Sequence, residues 1–273
     1  MKNKLIYTTF LPRKGYDEYN DLIWEWLISL RTLGKYDGKI IVFDYSGGSF
    51  SDQFKTTTKF GDLSIVPLDP IPPHEISNRR NVDVIPFLKD YPNYGVAHFD
   101  ADVWFQDDVN PMFYEIEKIE GAYLGVEPRR CCNFRNGPPE LEKLHYAIHE
   151  KIGGFVFGGW NAGKQKPFIE RLTSIKKLYD DKKWNIHEHG TDQSLFQTLI
   201  DFSKDRLDGG KWAASHYLCE FKEGKWYMGE DVVPGFHLVA FNRSREDCVE
   251  KMEEHYRFKY LHRKIYESWK NPQ

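Results

Sequence analysis

The sequence predicts a single mixed α/β domain, mostly parallel in its sheet and flanked by helices. Three observations lead there. Apolar runs of strand length alternate with segments of helical period from the N-terminus onward, the runs are continuous rather than alternating, and no Pro- or Ser-rich linker divides the 273 residues. Continuous apolar runs suit strands covered on both faces, as in a parallel sheet between helices. With 40% hydrophobic and 29% charged residues, the composition is that of a chain able to bury a sizeable core.

Taken in order, Lys4 to Phe10 is a β-rich run. A polar loop leads to Glu18–Leu33, where Leu22, Ile23, Trp26, Leu27 and Leu30 recur at helical spacing and Gly34 supplies the stop. Lys39–Tyr45 and Leu63–Leu68 read as strands closed by Gly-, Ser- or Pro-rich turns. Ser77–Leu88 reads as a helix interrupted near Pro86, and it delivers the chain to the apolar run Tyr94–Phe105. Further on, Ala122–Val126 and Phe155–Phe157 are predicted strands, and Pro167–Tyr179 and Asp192–Phe202 predicted helices. The domain is expected over residues 1–244, followed by a helical tail over 245–273. From Tyr256 to Lys270 the tail interleaves aromatic residues with five Lys or Arg, a pattern compatible with peripheral contact at a membrane surface or with packing against the domain.

Charge excludes one class of partner. Lys and Arg number 38 against 41 Asp and Glu, a net charge of −3, whereas nucleic-acid binding by counterion release needs a basic excess. No nucleic-acid partner is expected. The apolar run from Leu5 is interrupted by Thr8 and Thr9 and ended by Pro12, too short for a secretory signal, and no segment reaches the ~18 apolar residues of a membrane span. The four cysteines (Cys131, Cys132, Cys219, Cys248) include no Cys-x-x-Cys, which fits reduced thiols. A cytoplasmic chain, peripheral at the inner membrane face if the tail binds lipid, is the expectation.

The chemistry concentrates in Phe99-Asp100-Ala101-Asp102-Val103, at the end of a buried run. If strand geometry persists, Asp100 and Asp102 point to one face. Two facing carboxylates repel and are costly to bury unless a cation neutralises them, so a divalent metal is the natural partner. In open α/β sheets ligands bind beyond the carboxyl ends of the strands, where a metal could hold nucleotide phosphates. A pair of turn-forming or helix-capping Asp residues is the alternative.

Around this motif the sequence resembles the A-type nucleotide-sugar glycosyltransferases, in particular glycosyltransferase family eight and, less closely, family six. Asp100-Ala-Asp102, Asn161-Ala-Gly163, Asp192-Gln193 followed by Leu195, and His237 stand in the order of family eight's motifs. The resemblance implies a single GT-A type, Rossmann-like domain. It implies a retaining enzyme that moves a hexose from a UDP-sugar to a hydroxyl of a glycan or glycolipid. Asp100, Asp102 and His237 would ligate Mn²⁺ or Mg²⁺, a donor set of hard oxygens and one imidazole that suits Mn²⁺ best. Thr8, Thr9, Phe10, Arg79, Arg80, Ala101, Asn161, Gly163 and Arg243 are the implied donor-binding residues. Arg243 replaces the family's phosphate-binding Lys, and the family's usual C-terminal Gly-x-x-Lys-Pro-Trp is absent. The catalytic pair would be Asp192, on the sugar's hydroxyls, and Gln193, beneath the anomeric carbon. An amide is a feeble nucleophile, which favours retention by front-face attack. The stretch from Gly153 through Thr173 is similar to family six, although that family has Glu at the place of Gln193.

Other features have rival readings. An inverting enzyme would need a carboxylate base, for which Glu188 or Asp192 could serve. His187 and His189 could shape an acceptor side, while His145 and His149 carry no zinc motif. Trp160, Trp184, Trp212 and Trp226 could stack on sugar rings or fill the core. Phe-Asp-Ala-Asp-Val also fits a haloacid-dehalogenase-type phosphatase with Asp100 as nucleophile, although in that family the motif closes the first strand. A non-catalytic nucleotide-sugar binder is the third reading.

Overall fold

A computed structural model describes residues 2–12, 17–48, 50, 60–127, 138–139, 143, 156–200, 205–216, 218–237 and 246–270. The chain is a mixed α/β structure built on a seven-stranded, mostly parallel sheet. Strands β1 (Lys4–Phe10), β2 (Lys39–Asp44), β3 (Leu63–Pro67) and β4 (Gly95–Phe99) lie in the order β3-β2-β1-β4 and run parallel. The order continues β7-β6-β8, with β7 (Val156–Lys164) antiparallel to both β4 and β6 (Ala122–Glu127), and β8 (Arg206–Asp208) parallel to β6. The first connections run outward from β1 to β2 and β3, and the chain then returns to β4 on the other side of β1. That reversal opens a crevice at the carboxyl ends of β1 and β4.

Helix α1 (Asp17–Thr32) covers one face. Its Ile23, Trp26, Leu27 and Leu30 pack with Ile6, Ile40, Val42, Phe99 and Trp160 in one cluster. The other face is covered by α2 (Ile76–Val82), α3 (Ile85–Leu88), α5 (Gln165–Asp180) and α6 (Thr191–Ile200), around Tyr7, Ile41, Val96, Leu124, Phe168 and Leu195. Helix α4 (Pro111–Ile116) adds Met112, Phe113 and Ile116 to the first cluster. The expected interruption near Pro86 is a true break: α2 ends at Val82, and Pro86 sits in the first turn of α3, where its missing N–H costs nothing.

The run Tyr94–Phe105 is two strands. After β4 the chain turns through Asp100, Ala101 and Asp102, with Val103 N–H donating to the Asp100 carbonyl at 3.0 Å, and β5 (Val103–Phe105) enters a different sheet. The expectation of one persisting strand is corrected. The two carboxylates are gathered by a tight turn, not by strand alternation. In the second sheet β13 (Gly235–His237) lies between β5 and β9 (Ala213–Ser215). A three-stranded antiparallel unit, β10 (Glu220–Lys222), β11 (Lys225–Met228) and β12 (Asp231–Val232), precedes it.

The four tryptophans considered for sugar stacking are core residues. Trp160 and Trp226 are fully buried, Trp184 and Trp212 nearly so, and Trp226 stacks on Phe236 with ring centroids 3.7 Å apart. The tail is a 25-residue helix, α7 (Glu246–Lys270). It packs on the domain through buried Phe258 and His255, the latter against Trp104, while Tyr260 and Leu261 remain exposed on its surface. No helix among the described residues is long and apolar enough to cross a membrane.

Candidate metal centre

The turn after β4 and the end of β13 bring Asp100, Asp102 and His237 together. Antiparallel pairing puts His237 opposite Val103, the residue that follows Asp102. The His237 Nε2 is 3.3 Å from Asp102 Oδ1 and 3.8 Å from Asp100 Oδ2. One ligand atom from each of the three lies within 4.8 Å of the others, so this group could hold a metal ion. Two hard carboxylate oxygens and one imidazole nitrogen form a donor set that fits a divalent cation such as Mn²⁺ or Mg²⁺. Burial pushes the Asp102 carboxyl up, but the neighbouring His237 outweighs it and holds the group below the usual carboxylate range.

Gly159 is part of this geometry. It has φ +73°, its carbonyl accepts the Asp100 N–H at 2.8 Å, and an added Cβ would lie 2.5 Å from His237 Cε1 and 3.0 Å from Asp100 Oδ2. The Gly158-Gly159 pair was the available sequence signal, but a Gly pair is also what an ordinary turn looks like.

Beside the triad, Arg80 spans two carboxylates. Its guanidinium pairs with Asp100 through Nη1 and with Asp192 Oδ2 at 3.1 Å through Nη2. Burial opposes its charge, yet the two carboxylates more than compensate and raise its pKa. For Asp192 the balance goes the other way: burial raises its carboxyl above the ordinary range despite Arg80. Asn78, which sequence reasoning missed, fixes the start of α6. Its Oδ1 accepts from Tyr179 Oη (2.7 Å) and from the Asp192 N–H (2.9 Å), and its Nδ2 donates to the carbonyls of Ile186 and Glu188, both at 2.7 Å. A buried Asn using both ends of its amide is a rigid brace between α2 and α6. Only three-dimensional contact with a loop more than a hundred residues away reveals that role.

The remaining expected residues divide. Asn161 lies fully buried on β7, opposite His98 of β4. Gln193 is half-buried in the first turn of α6, next to Asp192. Thr8, Thr9 and Phe10 are buried at the carboxyl end of β1, with the Phe10 ring packed 4.7 Å from Phe50. Ala101 is the middle of the turn between Asp100 and Asp102. Arg79 is drawn away, into an ion pair with Asp83 at 2.8 Å. Gly163 pairs with Val96 near the opposite end of β4 from Asp100, and its close approach is to Ala122 of the adjoining strand. His187 bonds Glu75 at 2.8 Å on the surface. Arg243, His145, His149, Cys131, Cys132 and the Gly153-Gly154 pair lie outside the described residues.

No protein-family model matches the chain, and no curated protein matches it.

Proposed function

We propose that the protein is a metal-dependent, retaining glycosyltransferase of the GT-A type that moves a hexose from a UDP-sugar to a hydroxyl of a glycan or glycolipid. One observation carries this reading. Asp100 and Asp102, in the turn after β4, and His237, 135 residues beyond Asp102, converge at the carboxyl end of β4 beside a part-buried Arg80–Asp192 ion pair. A metal site at the crevice of a parallel sheet suits a ligand that carries both phosphates and a polar group to be oriented.

In this reading Asp100, Asp102 and His237 hold Mn²⁺ or Mg²⁺. The ion, when bound, supplies positive charge that stabilises the leaving diphosphate. Arg80 holds Asp192 in place, and Asp192 accepts hydrogen bonds from sugar hydroxyls. Gln193 faces the anomeric carbon from the side opposite the leaving group. Its amide does not attack. The acceptor oxygen bonds the anomeric carbon as the bond to phosphate breaks, and its proton passes to the departing phosphate oxygen, so configuration is retained. UDP, and a hexose as the sugar, follow from the family resemblance.

The phosphatase alternative would use Asp100 as nucleophile, but its carboxylate is engaged by Arg80 on one oxygen and faces His237 with the other, and it ends the fourth strand. The test is an assay of UDP-hexose turnover, with and without Mn²⁺, beside one of p-nitrophenyl phosphate hydrolysis. Mn²⁺-dependent release of UDP, abolished in Asp102→Asn, is the expected result. Phosphatase activity without UDP-hexose turnover would overturn it, and metal-dependent binding without turnover would leave a non-catalytic binder.

A further inference from the structure

Behind the candidate metal centre runs a row of buried polar side chains that find no hydrogen-bond partner among the described residues. Tyr7 on β1, His98 on β4 and Asn161 on β7 are direct cross-strand partners in successive ladders, so all three share one face of the sheet. The Tyr7 and His98 rings are 4.9 Å apart, and each of the three residues is at most 1% exposed. The row is apolar at its ends, Ile41 beyond Tyr7 and Leu124 beyond Asn161. Yet among the described residues the Tyr7 hydroxyl, both ring nitrogens of His98, both polar atoms of the Asn161 amide and Asp192 Oδ1 have no hydrogen-bond partner. Each such group costs about 1–3 kcal/mol when left bare in the interior, so folded proteins rarely keep several together unless a molecule from outside the chain completes them.

The chemistry of the row selects the partner. His98 Nε2 stands 3.7 Å from Asp100 Oδ1, which ties the row to the metal triad. A phenol, an imidazole and an amide offer donors and acceptors together and no net charge. A carboxylate or phosphate brings acceptors only and would meet Asp100 and Asp192; a metal ion would leave the donors unpaired. A hydroxyl both donates and accepts. We propose that Tyr7, His98 and Asn161 form a hydroxyl-binding row that reads a neutral hexose, with His98 the residue that sets sugar specificity. The assignment rests on the glycosyltransferase reading for the hexose being the donor's, and Tyr7 and His98 extend the sugar site beyond the residues that the family resemblance supplies. Bound water is the other source of hydroxyls.

The test follows the imidazole ¹⁵N signals of His98, assigned by their loss in His98→Phe, in protein with Mg²⁺ titrated with UDP, UDP-glucose, UDP-galactose, free glucose and free galactose. The expected result is that at least one hexose, free or nucleotide-linked, shifts both ring nitrogens while UDP does not. Calorimetry should show His98→Phe and the milder Tyr7→Phe weakening UDP-hexose at least tenfold, with UDP affinity unchanged. Because His98→Phe removes unpaired polar atoms, its melting temperature should equal or exceed that of the wild type. The proposal falls if His98 is unmoved by every hexose, which would leave water as its partner, or if both variants weaken UDP and UDP-hexose alike. Hexose shifts without any nucleotide binding would keep the row and overturn the UDP-sugar reading. Nucleotide binding with His98 unmoved would do the reverse.

Discussion

A single methyl group at position 159 would enter the space between the metal-triad side chains. Gly159 sits at φ +73°, where an L-residue costs ~1–2 kcal/mol, and its Cα faces His237 and Asp100. Neither neighbour can retreat without leaving the triad, because Asp100 is anchored by its own N–H to the Gly159 carbonyl and His237 is paired into its sheet. Gly159→Ala should therefore weaken Mn²⁺ binding at least tenfold by calorimetry while the far-ultraviolet spectrum is retained. Unchanged Mn²⁺ affinity would show that the centre lies elsewhere. At this scale the sequence was legible where chemistry is carried by residue type: the closely spaced Asp100 and Asp102 and the distant His237 stand out as candidate ligands, and the fold brings them together. Asn78 and His98 were not, because a lone Asn or His acquires meaning only from the strands and loops that close around it.

Among the elements, β1, β2, β3 and β6 and the helices α1, α5 and α6 were readable because their apolar period or continuity is a property of adjacent residues. Bounds shifted by a residue or two, as fraying ends allow. The second sheet was not readable. Strands β5, β9 and β13 are three residues each, too short for a period to register, and pair only through distant contacts. The predicted strand Phe155–Phe157 caught only the first two of the nine residues of β7, because Gly158, Gly159 and Gly163 mask its pattern. The tail packs against the domain, one of the two readings of its pattern, and membrane contact is the reading left to test. Phe258 and His255 bury one side of α7, and Tyr260 and Leu261, with exposed Arg257, Arg263 and Lys264 nearby on the helix, present another. Aromatic and aliphatic side chains among basic ones are the chemistry of an interfacial helix. Replacing Tyr260 and Leu261 together with Ser leaves the packed side intact, so the variant should melt like wild type yet sediment less with anionic phospholipid vesicles. Equal sedimentation would remove membrane contact from the tail.

At the scale of the whole molecule, the polar layer makes stability depend on pH in a definite direction. Burial pushes the His98 ring down to about 3, and Arg80 and His237 add to this against the opposing pull of Asp100. In the unfolded chain an imidazole titrates near ~6.5. Between those values the unfolded state binds the proton that the folded state refuses, so stability falls as pH drops from about 6.5 toward about 3. Asp192 works in the opposite sense, since its raised carboxyl takes up a proton on folding and recovers part of the loss. His262, also pushed down by burial, adds to it. Carboxylates held below their usual range, such as Asp37 and Glu115, lose their contribution only at more acid pH, which leaves the span from about 6.5 to about 4.5 to the histidines, with Asp192 opposing them. Melting curves in chelator should show a falling transition temperature across that span, with a shallower fall in His98→Phe. Parallel curves for the two proteins would mean that the His98 ring is already solvated or charged in the native state. An imidazole kept neutral at the heart of the sheet is compatible with a site that orients a hydroxyl-rich ligand and leaves the positive charge to Arg80 and the cation.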